Sequence, residues 1–177
     1  MRKNSANKGF SLIELLVVIA IMGIFTGASF VAFGLVQSGN VKNVTKSLGT
    51  GLQETRQKTM TQNLAYGWTF VVEKDASGKV SMTTVQGVAA DAAPIEVRTE
   101  LKKCSMFYTN NEGAEYEISR MRVTFDASTG AVKNIEYMPV DGSVMTQTAG
   151  VGKIRVTSST KESELSIFFA TGKYEIK

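Results

Sequence analysis

The hydrophobic residues form a long apolar run near the start of the chain. After Glu14 no charged side chain occurs until Lys42, about 27 residues that as a helix would extend roughly 40 Å. This length exceeds the roughly 30 Å hydrocarbon core of a bilayer. A helix that is apolar all round is typical of a membrane span or a fibre core. The pattern therefore predicts a transmembrane helical segment from Phe10 to about Val36.

From about Asn40 the pattern becomes that of an amphipathic helix, which we expect to continue to about Leu64. Apolar positions recur every three or four residues, with charged residues mostly off that stripe. The stripe consists of Val41, Val44, Leu48, Leu52 and Thr55, with Leu64 roughly in phase. It predicts the face on which a globular domain packs. Gly49 and Gly51 each weaken a helix by up to about 1 kcal/mol relative to alanine, so they and Gly39-Asn40 are candidate breaks.

Past Leu64 the hydrophobic period changes to two, which is the period of β-strands. Turn sequences rich in Asp, Asn, Ser and Gly separate the apolar runs. The expected strands are 68–73, 79–85, 95–98, 104–108, 116–125, 132–138, 154–158 and 164–169, and a turn at Thr171-Gly172 leads into 174–176. Residues 87–94 and 146–152 are expected to be loops. One long helix followed by about eight strands predicts an α+β fold, with a β-rich domain at 65–177 on the helix's C-terminal half.

The start of the chain combines four features that seldom coincide. A short basic leader ends at Gly9, Phe10 follows, Glu14 lies four residues further on, and the apolar helix begins there. This segment resembles the N-terminus of type IV prepilins and of the pseudopilins of type II secretion and DNA-uptake systems. The resemblance covers Lys8 to Ile24 closely and the helix to about Leu64 more loosely. It implies a leader at residues 1–9, cleavage after Gly9 by a prepilin peptidase, and N-methylation of Phe10.

Other parts of the chain refine this comparison. Residues 123–126 leading to Gly130, and the closing residues 165–173, resemble the C-terminal half of minor pseudopilins of the H type and of minor pilins. The family often has a proline about twenty residues into the mature helix, but Val31 is found there, so a straighter helix is expected. The single cysteine, Cys104, excludes the intrachain C-terminal disulfide of many pilins, and we expect it to be a small core residue.

A charged Glu14 in an apolar helix costs free energy when it enters a membrane, so its carboxylate needs a partner or a function. Cleavage after Gly9 would create a positive amine on Phe10, one helical turn away. Glu14 could pair with that amine on a neighbouring subunit, or it could complement its own helix N-terminus, where acidic side chains are favourable. The Gly-Phe junction at the matching spacing favours the first interpretation, which makes Glu14 an assembly residue.

An ordinary secretory signal peptide is the main alternative for the whole segment. Its basic region would contain Arg2, Lys3 and Lys8, its apolar region would be 15–25, and cleavage would follow the small residues 26–28. Two features oppose this alternative. The apolar run continues to Val36, and a charge such as Glu14 is poorly tolerated in such a region. If the segment were nevertheless a signal peptide, the β-rich domain would be a free secreted protein.

Composition excludes several kinds of chemistry. The chain has no histidine, which removes the commonest metal ligand and general base. No HExxH, GxSxG, CxxC or phosphate-loop motif is present, and Gly150-Val151-Gly152-Lys153 lacks the spacing of one. The turns at Asp75 and Asp126 could each offer one calcium oxygen, but turns routinely have this composition. We therefore expect no enzyme activity, no cofactor and no metal.

Trp68, Phe70, Phe125 and Phe169 alternate at strand spacing and are expected to be core residues.

The net charge is +4, of which the basic residues of the leader account for three, so the charge is weak support for nucleic-acid binding. The leader charges predict a cytoplasmic N-terminus with the bulk of the chain outside. The favoured function is a structural pilin or pseudopilin subunit, single-pass in the cytoplasmic membrane and then part of a periplasmic or extracellular filament. Its expected partners are other subunits, the prepilin peptidase and a membrane assembly platform with its ATPase. The alternative is a DNA-binding minor pilin of a DNA-uptake filament, with Lys102-Lys103, Arg120-Arg122 and Lys153-Arg155 as candidate contacts.

Overall fold

The computed structural model describes residues 11–62, 67–87, 95–158 and 161–177, without the side chains of residues 27–38 and Ile95. Helix α1 covers Leu12–Thr61. The expected leader, Phe10 and Leu64 lie outside the described residues. The chain divides into two compact units, Met1–Val36 and Gln37–Lys177.

The first unit is described from residue 11 and is helical from Leu12. Its large apolar side chains between Leu12 and Phe25 are exposed, with Leu12 83% and Ile24 74% accessible. Among the residues that the structure describes, no helix is long and apolar enough to cross a membrane. The predicted transmembrane segment is therefore not confirmed.

The second unit is rich in β-strands, which confirms the α+β class and the β-rich domain. Ten strands are found in the described part of the chain. They are β1 (Trp68–Lys74), β2 (Lys79–Gln86), β3 (Ile95–Lys103), β4 (Ser105–Thr109), β5 (Glu115–Phe125), β6 (Val132–Pro139), β7 (Met145–Gln147), β8 (Val151–Ser158), β9 (Lys161–Phe168) and β10 (Lys173–Ile176).

The strands pair antiparallel in the order β10-β9-β8-β4-β5-β1-β2-β3, and β6 pairs with both β5 and β7. The long strand β5 joins the two halves of this arrangement. Its first residues pair with β4, and its later residues pair with β1 and β6. All neighbouring strands are antiparallel, as short turns between consecutive strands allow.

The predicted stripe of α1 is the face that packs on the sheet. Its members are nearly inaccessible: Val41, Val44, Leu48, Leu52 and Thr55 are at most 2% exposed. The four apolar members form one core cluster with apolar residues of both halves of the sheet. Full burial of a side chain such as Leu48 contributes about 1.5–3 kcal/mol.

Polar groups on the buried face of α1 are satisfied locally. The Thr55 hydroxyl donates to the Gly51 carbonyl at 2.7 Å and lies 3.3 Å from the Thr84 hydroxyl on β2. Thr59 makes the same bond to the carbonyl one turn earlier, at 2.8 Å. A threonine is thus tolerated in the core because its hydroxyl keeps a hydrogen bond.

Several expectations from the sequence need correction. Helix α1 is continuous through Gly39-Asn40 and Gly49–Gly51, so neither is a break. The expected loop at residues 146–152 contains most of β7 and the start of β8. Gly152 pairs with Ile167 within β8, and glycine suits this strand position because a Cβ there would collide with the Tyr108 hydroxyl. Strand β3 runs to Lys103 rather than Arg98, since backbone pairing with β2 does not require apolar side chains.

The four aromatic residues expected in the core are buried. Trp68, Phe70, Phe125 and Phe169 are at most 6% exposed. The indole Nε1 of Trp68 donates to the Gln62 side chain at 2.9 Å, so its one polar atom is satisfied. The prediction of core packing for these residues is confirmed.

We predict opposite effects of alanine at two glycines of α1. A Cβ at Gly51 would lie 2.7 Å from Cε2 of the fully buried Phe70, whereas a Cβ at exposed Gly39 meets nothing within 4 Å. Gly51→Ala should therefore destabilise the fold by about 1–3 kcal/mol through overpacking. Gly39→Ala, the matched control, should be neutral or stabilise by up to about 1 kcal/mol. Denaturant unfolding measures both, and a stabilised Gly51→Ala variant would contradict the packing described.

Candidate functional site

The Glu14 side chain caps the beginning of helix α1. The backbone N–H of Ser11 donates to Glu14 Oε2 at 2.9 Å, and the Glu14 N–H donates to the Ser11 hydroxyl at 3.2 Å. This reciprocal pair is a capping box, which satisfies two backbone donors that have no partner inside the helix. Within one chain, Glu14 thus complements its own helix N-terminus. Its pairing with a neighbour's amine remains a prediction.

The surroundings of Glu14 are apolar and accessible. Ile13, Leu15 and Leu16 next to it are each more than half exposed. The carboxylate is therefore the one ionisable group on a described helical surface of apolar side chains, from residue 11 to residue 26. Such a surface favours contact with other apolar material, and a single charge in it restricts how two helices can align. The other two predicted site residues, Gly9 and Phe10, lie outside the described residues.

Comparison with known proteins identifies this segment. Residues 4–30 match the family model described as the prokaryotic N-terminal methylation motif. This motif is the signature of type IV pilins and pseudopilins, and the chain carries it. The recognition made from the sequence is confirmed. No curated protein and no solved structure gives a significant match.

The motif also bears on activity and cellular location at a coarse level. It is a structural pilin-type motif rather than an enzymatic one. It implies a precursor that is anchored in the membrane before assembly, and assembly with other subunits of the same type.

The basic residues considered for DNA binding do not form one patch. Arg120 and Arg122 lie on β5, Lys153 and Arg155 on β8, and Lys102-Lys103 on β3. Strand β4 lies between β8 and β5, which places these two strands about 10 Å apart. Strands β1 and β2 lie between β5 and β3, which places those two about 14 Å apart. The sheet therefore distributes these charges over three places.

Acidic neighbours also pair with several of them. Arg155 contacts Glu115 at 2.7 Å and Glu162 at 3.4 Å, and this raises its pKa above the usual value. The Nε atom of Arg120 lies 3.0 Å from Glu73, and Lys153 lies 3.4 Å from Glu164. The charge available to a phosphate backbone is thereby reduced.

The acidic turns considered for calcium use their oxygens within the chain. Asp126 Oδ1 accepts from the hydroxyl and backbone N–H of both Ser128 and Thr129, at 2.6–3.0 Å. These bonds, the Ser128 hydroxyl foremost, lower the pKa of Asp126 to about 2. Asp75 is held in the same way by Ser77 and the Lys79 N–H, and its pKa is also lowered. Across the described residues there is no group of three or more potential metal ligands among Cys, Asp and Glu.

Cys104 is buried between β3 and β4, which confirms its prediction as a core residue. Burial raises the pKa of its thiol to about 11. The thiolate, which is the reactive form, is therefore scarce at neutral pH.

Sequence reasoning missed one polar cluster inside the sheet. The hydroxyl of the fully buried Tyr108 donates to Gln147 Oε1 at 2.8 Å. The sequence predicts a loop at Gln147, whereas the pairing of β7 with β6 brings this residue to the tyrosine. No local signal links two residues 39 positions apart.

We predict that Asp126 stabilises the β5–β6 turn in a pH-dependent manner. Because its pKa in the folded chain is about 2, against an ordinary 3.8, the stabilisation is complete above about pH 4. It is lost as the pH falls towards 2, where the carboxylate gains a proton. NMR titration of this carboxyl should show a midpoint near 2. Ser128→Ala, which removes the strongest hydrogen bond, should raise that midpoint, and a wild-type midpoint near 3.8 would refute the prediction.

Proposed function

We propose that the chain is a structural subunit, pilin or pseudopilin, of a type IV pilus-like or type II secretion filament. The observation that best supports this proposal is the methylation motif at residues 4–30, which overlaps the exposed apolar surface of α1. Prepilin peptidase removes residues 1–9 by cutting after Gly9 and methylates the amine of Phe10. The resemblance to H-type minor pseudopilins supports a minor subunit as the finer form of this proposal.

Hydrophobic burial drives the proposed assembly. The apolar side chains from Leu12 to Phe25 are costly to expose to water, at roughly 25 cal/mol per Å². In the precursor a membrane would cover them, with the N-terminus in the cytoplasm. In the filament the same side chains of neighbouring subunits would cover one another. A membrane platform and its ATPase would supply the work of extraction.

Glu14 sets the alignment of subunits in this mechanism. Once Phe10 carries a free amine, that amine would pair with the Glu14 carboxylate of a neighbouring subunit when the apolar helices pack side by side. An unpaired charge there is costly, so subunits would stop at the position where carboxylate and amine meet. The capping box can form before assembly, because it needs only Ser11 of the same chain.

The DNA-uptake alternative receives less support than a structural role. Its candidate basic residues are separated on the sheet, and Arg120, Lys153 and Arg155 are ion-paired. A signal-peptide function for the first segment also receives less support, because the matched motif extends through residue 30.

We expect the protein isolated from membranes of its own host to begin at Phe10 and to carry one extra methyl group. Intact mass and N-terminal sequencing measure both properties. Retention of residues 1–9 in a host with an active peptidase would contradict the proposed processing. A chain that begins near Ser29 would contradict the filament function, because the apolar helix would have been discarded.

Substitutions at Glu14 separate its charge from its capping function. Glu14→Gln keeps an oxygen for the Ser11 N–H but loses the charge, whereas Glu14→Ala loses both. We expect both variants to reduce filament assembly at least tenfold, the amount expected from about 1.4 kcal/mol or more of lost pairing. Electron microscopy and quantification of sheared filaments measure assembly.

Ser11→Ala is the matched control. It removes one hydrogen bond of the capping box and keeps the Glu14 charge, so assembly should stay within about twofold of wild type. Normal assembly of Glu14→Gln, combined with failure of Ser11→Ala, would assign Glu14 to helix capping alone.

A further inference from the structure

A polar cavity lies where strand β5 begins. Its volume is about 490 Å³, and its walls come from the ends of β5, β6 and β7 and from the turns at residues 110–112 and 148–149. This volume is within the range of small-molecule sites. Strand β5 is eleven residues long and ends beside the turn that contacts Arg56 of α1. The cavity is therefore roughly 30 Å from that contact.

Hydrogen bonds hold the walls of this cavity in place. Gln147 accepts from the buried Tyr108 hydroxyl at 2.8 Å, and its Nε2 donates to the Ala149 carbonyl at 2.7 Å. On the opposite turn, Asn110 Oδ1 accepts from the N–H groups of Glu112 and Ala114 at 3.1 and 3.0 Å. The backbone of both walls is therefore held before a ligand binds, which reduces the conformational entropy that these segments lose on binding.

One wall is aromatic. The Tyr137 ring packs between two others, with centroids 4.4 Å from Tyr108 and 5.8 Å from Tyr116. Tyr108 is fully buried, while Tyr116 is half-buried at the cavity. The Tyr137 ring packs against Tyr116 and is itself backed by Tyr108, so the partly accessible Tyr116 ring is held in place at the cavity.

The remaining wall offers unused hydrogen-bonding groups. The side chains of Asn111, Glu112, Thr146 and Thr148 are exposed and make no hydrogen bond or ion pair with other described residues. Together they supply an amide, a carboxylate and two hydroxyls, which both donate and accept. Among the described residues, no lysine or arginine lines the cavity, so these residues offer an anionic ligand no countercharge. Glu112 is the only acidic residue of that described lining, too few for a divalent cation.

We propose that this cavity binds a neutral saccharide. A sugar ring presents hydroxyl groups that pair with mixed donors and acceptors, and it presents a C–H face that packs on an aromatic ring. The Tyr116 face and the four unused polar side chains provide these two surfaces side by side. Glu112 accepts from sugar hydroxyls and disfavours sialylated or phosphorylated glycans through like-charge repulsion. This site is independent of the processing and assembly of α1.

The test uses the full chain with an epitope tag, in a zwitterionic detergent whose head group contains no sugar. The probe is an array of immobilised neutral and sialylated short oligosaccharides. We expect binding to a subset of neutral glycans and none to their sialylated forms. Tyr116→Leu, which keeps an apolar side chain but removes the flat ring, should reduce binding at least tenfold.

Glu112→Gln should weaken binding about fivefold, the effect of one hydrogen bond of about 1 kcal/mol. The matched control is Glu175→Gln, the same change at an exposed carboxylate on β10, and it should leave binding unchanged. Thermal unfolding verifies that all three variants are folded. Absence of neutral-glycan binding, preference for sialylated glycans, or binding that survives both cavity substitutions would overturn the proposal.

Discussion

Burial of one stripe of helix α1 is the interaction on which the second unit depends. Val41, Val44, Leu48 and Leu52 lie in the same core cluster as residues from both halves of the sheet. Strand β5 belongs to both halves, so the helix and this strand together hold ten strands around one core. The Arg56 Nε adds a directional contact, since it donates to the Gly130 carbonyl of the β5–β6 turn at 2.7 Å. Loss of the stripe would leave neither half of the sheet with a complete apolar face.

The same helix has opposite surface chemistry in its two units. From Leu12 to Phe25 its apolar side chains are exposed, whereas from Val41 onward the apolar stripe is buried and the charged side chains are outside. Exposure of apolar helix side chains to water is unfavourable in free energy, and soluble monomers seldom expose large apolar surfaces. The first segment therefore depends on a partner or a membrane for its stability, while the second carries its partner, the sheet, in the same chain.

Turns and patterns account for the parts of the fold that could be predicted. Asp75, Asn110 and Asp126 begin turns whose Gly78, Gly113 and Gly130 have positive φ, as their composition indicated. The loop prediction for residues 146–152 was wrong at both ends, because residues 146–147 lie in β7 and residues 151–152 lie in β8. Gly152 reads locally as a loop residue, but it lies in β8, where the Tyr108 side chain occupies the space of a Cβ. Likewise, the sequence predicts that Gly51 weakens the helix, whereas in the structure the absence of a Cβ at Gly51 leaves room for the Phe70 ring.

The sequence by itself determined the signature at the start of the chain, the buried stripe of α1, the aromatic core residues and the α+β class. Each of these features depends on residues that are close together in the sequence, as a motif of adjacent residues, a helical period or a strand period. Only the tertiary structure decided how far apart the basic residues lie, and that Tyr116, Tyr137 and the residues around Gln147 form one cavity. Those properties depend on strand order, and strand order joins residues tens of positions apart through burial and backbone pairing that no local pattern encodes.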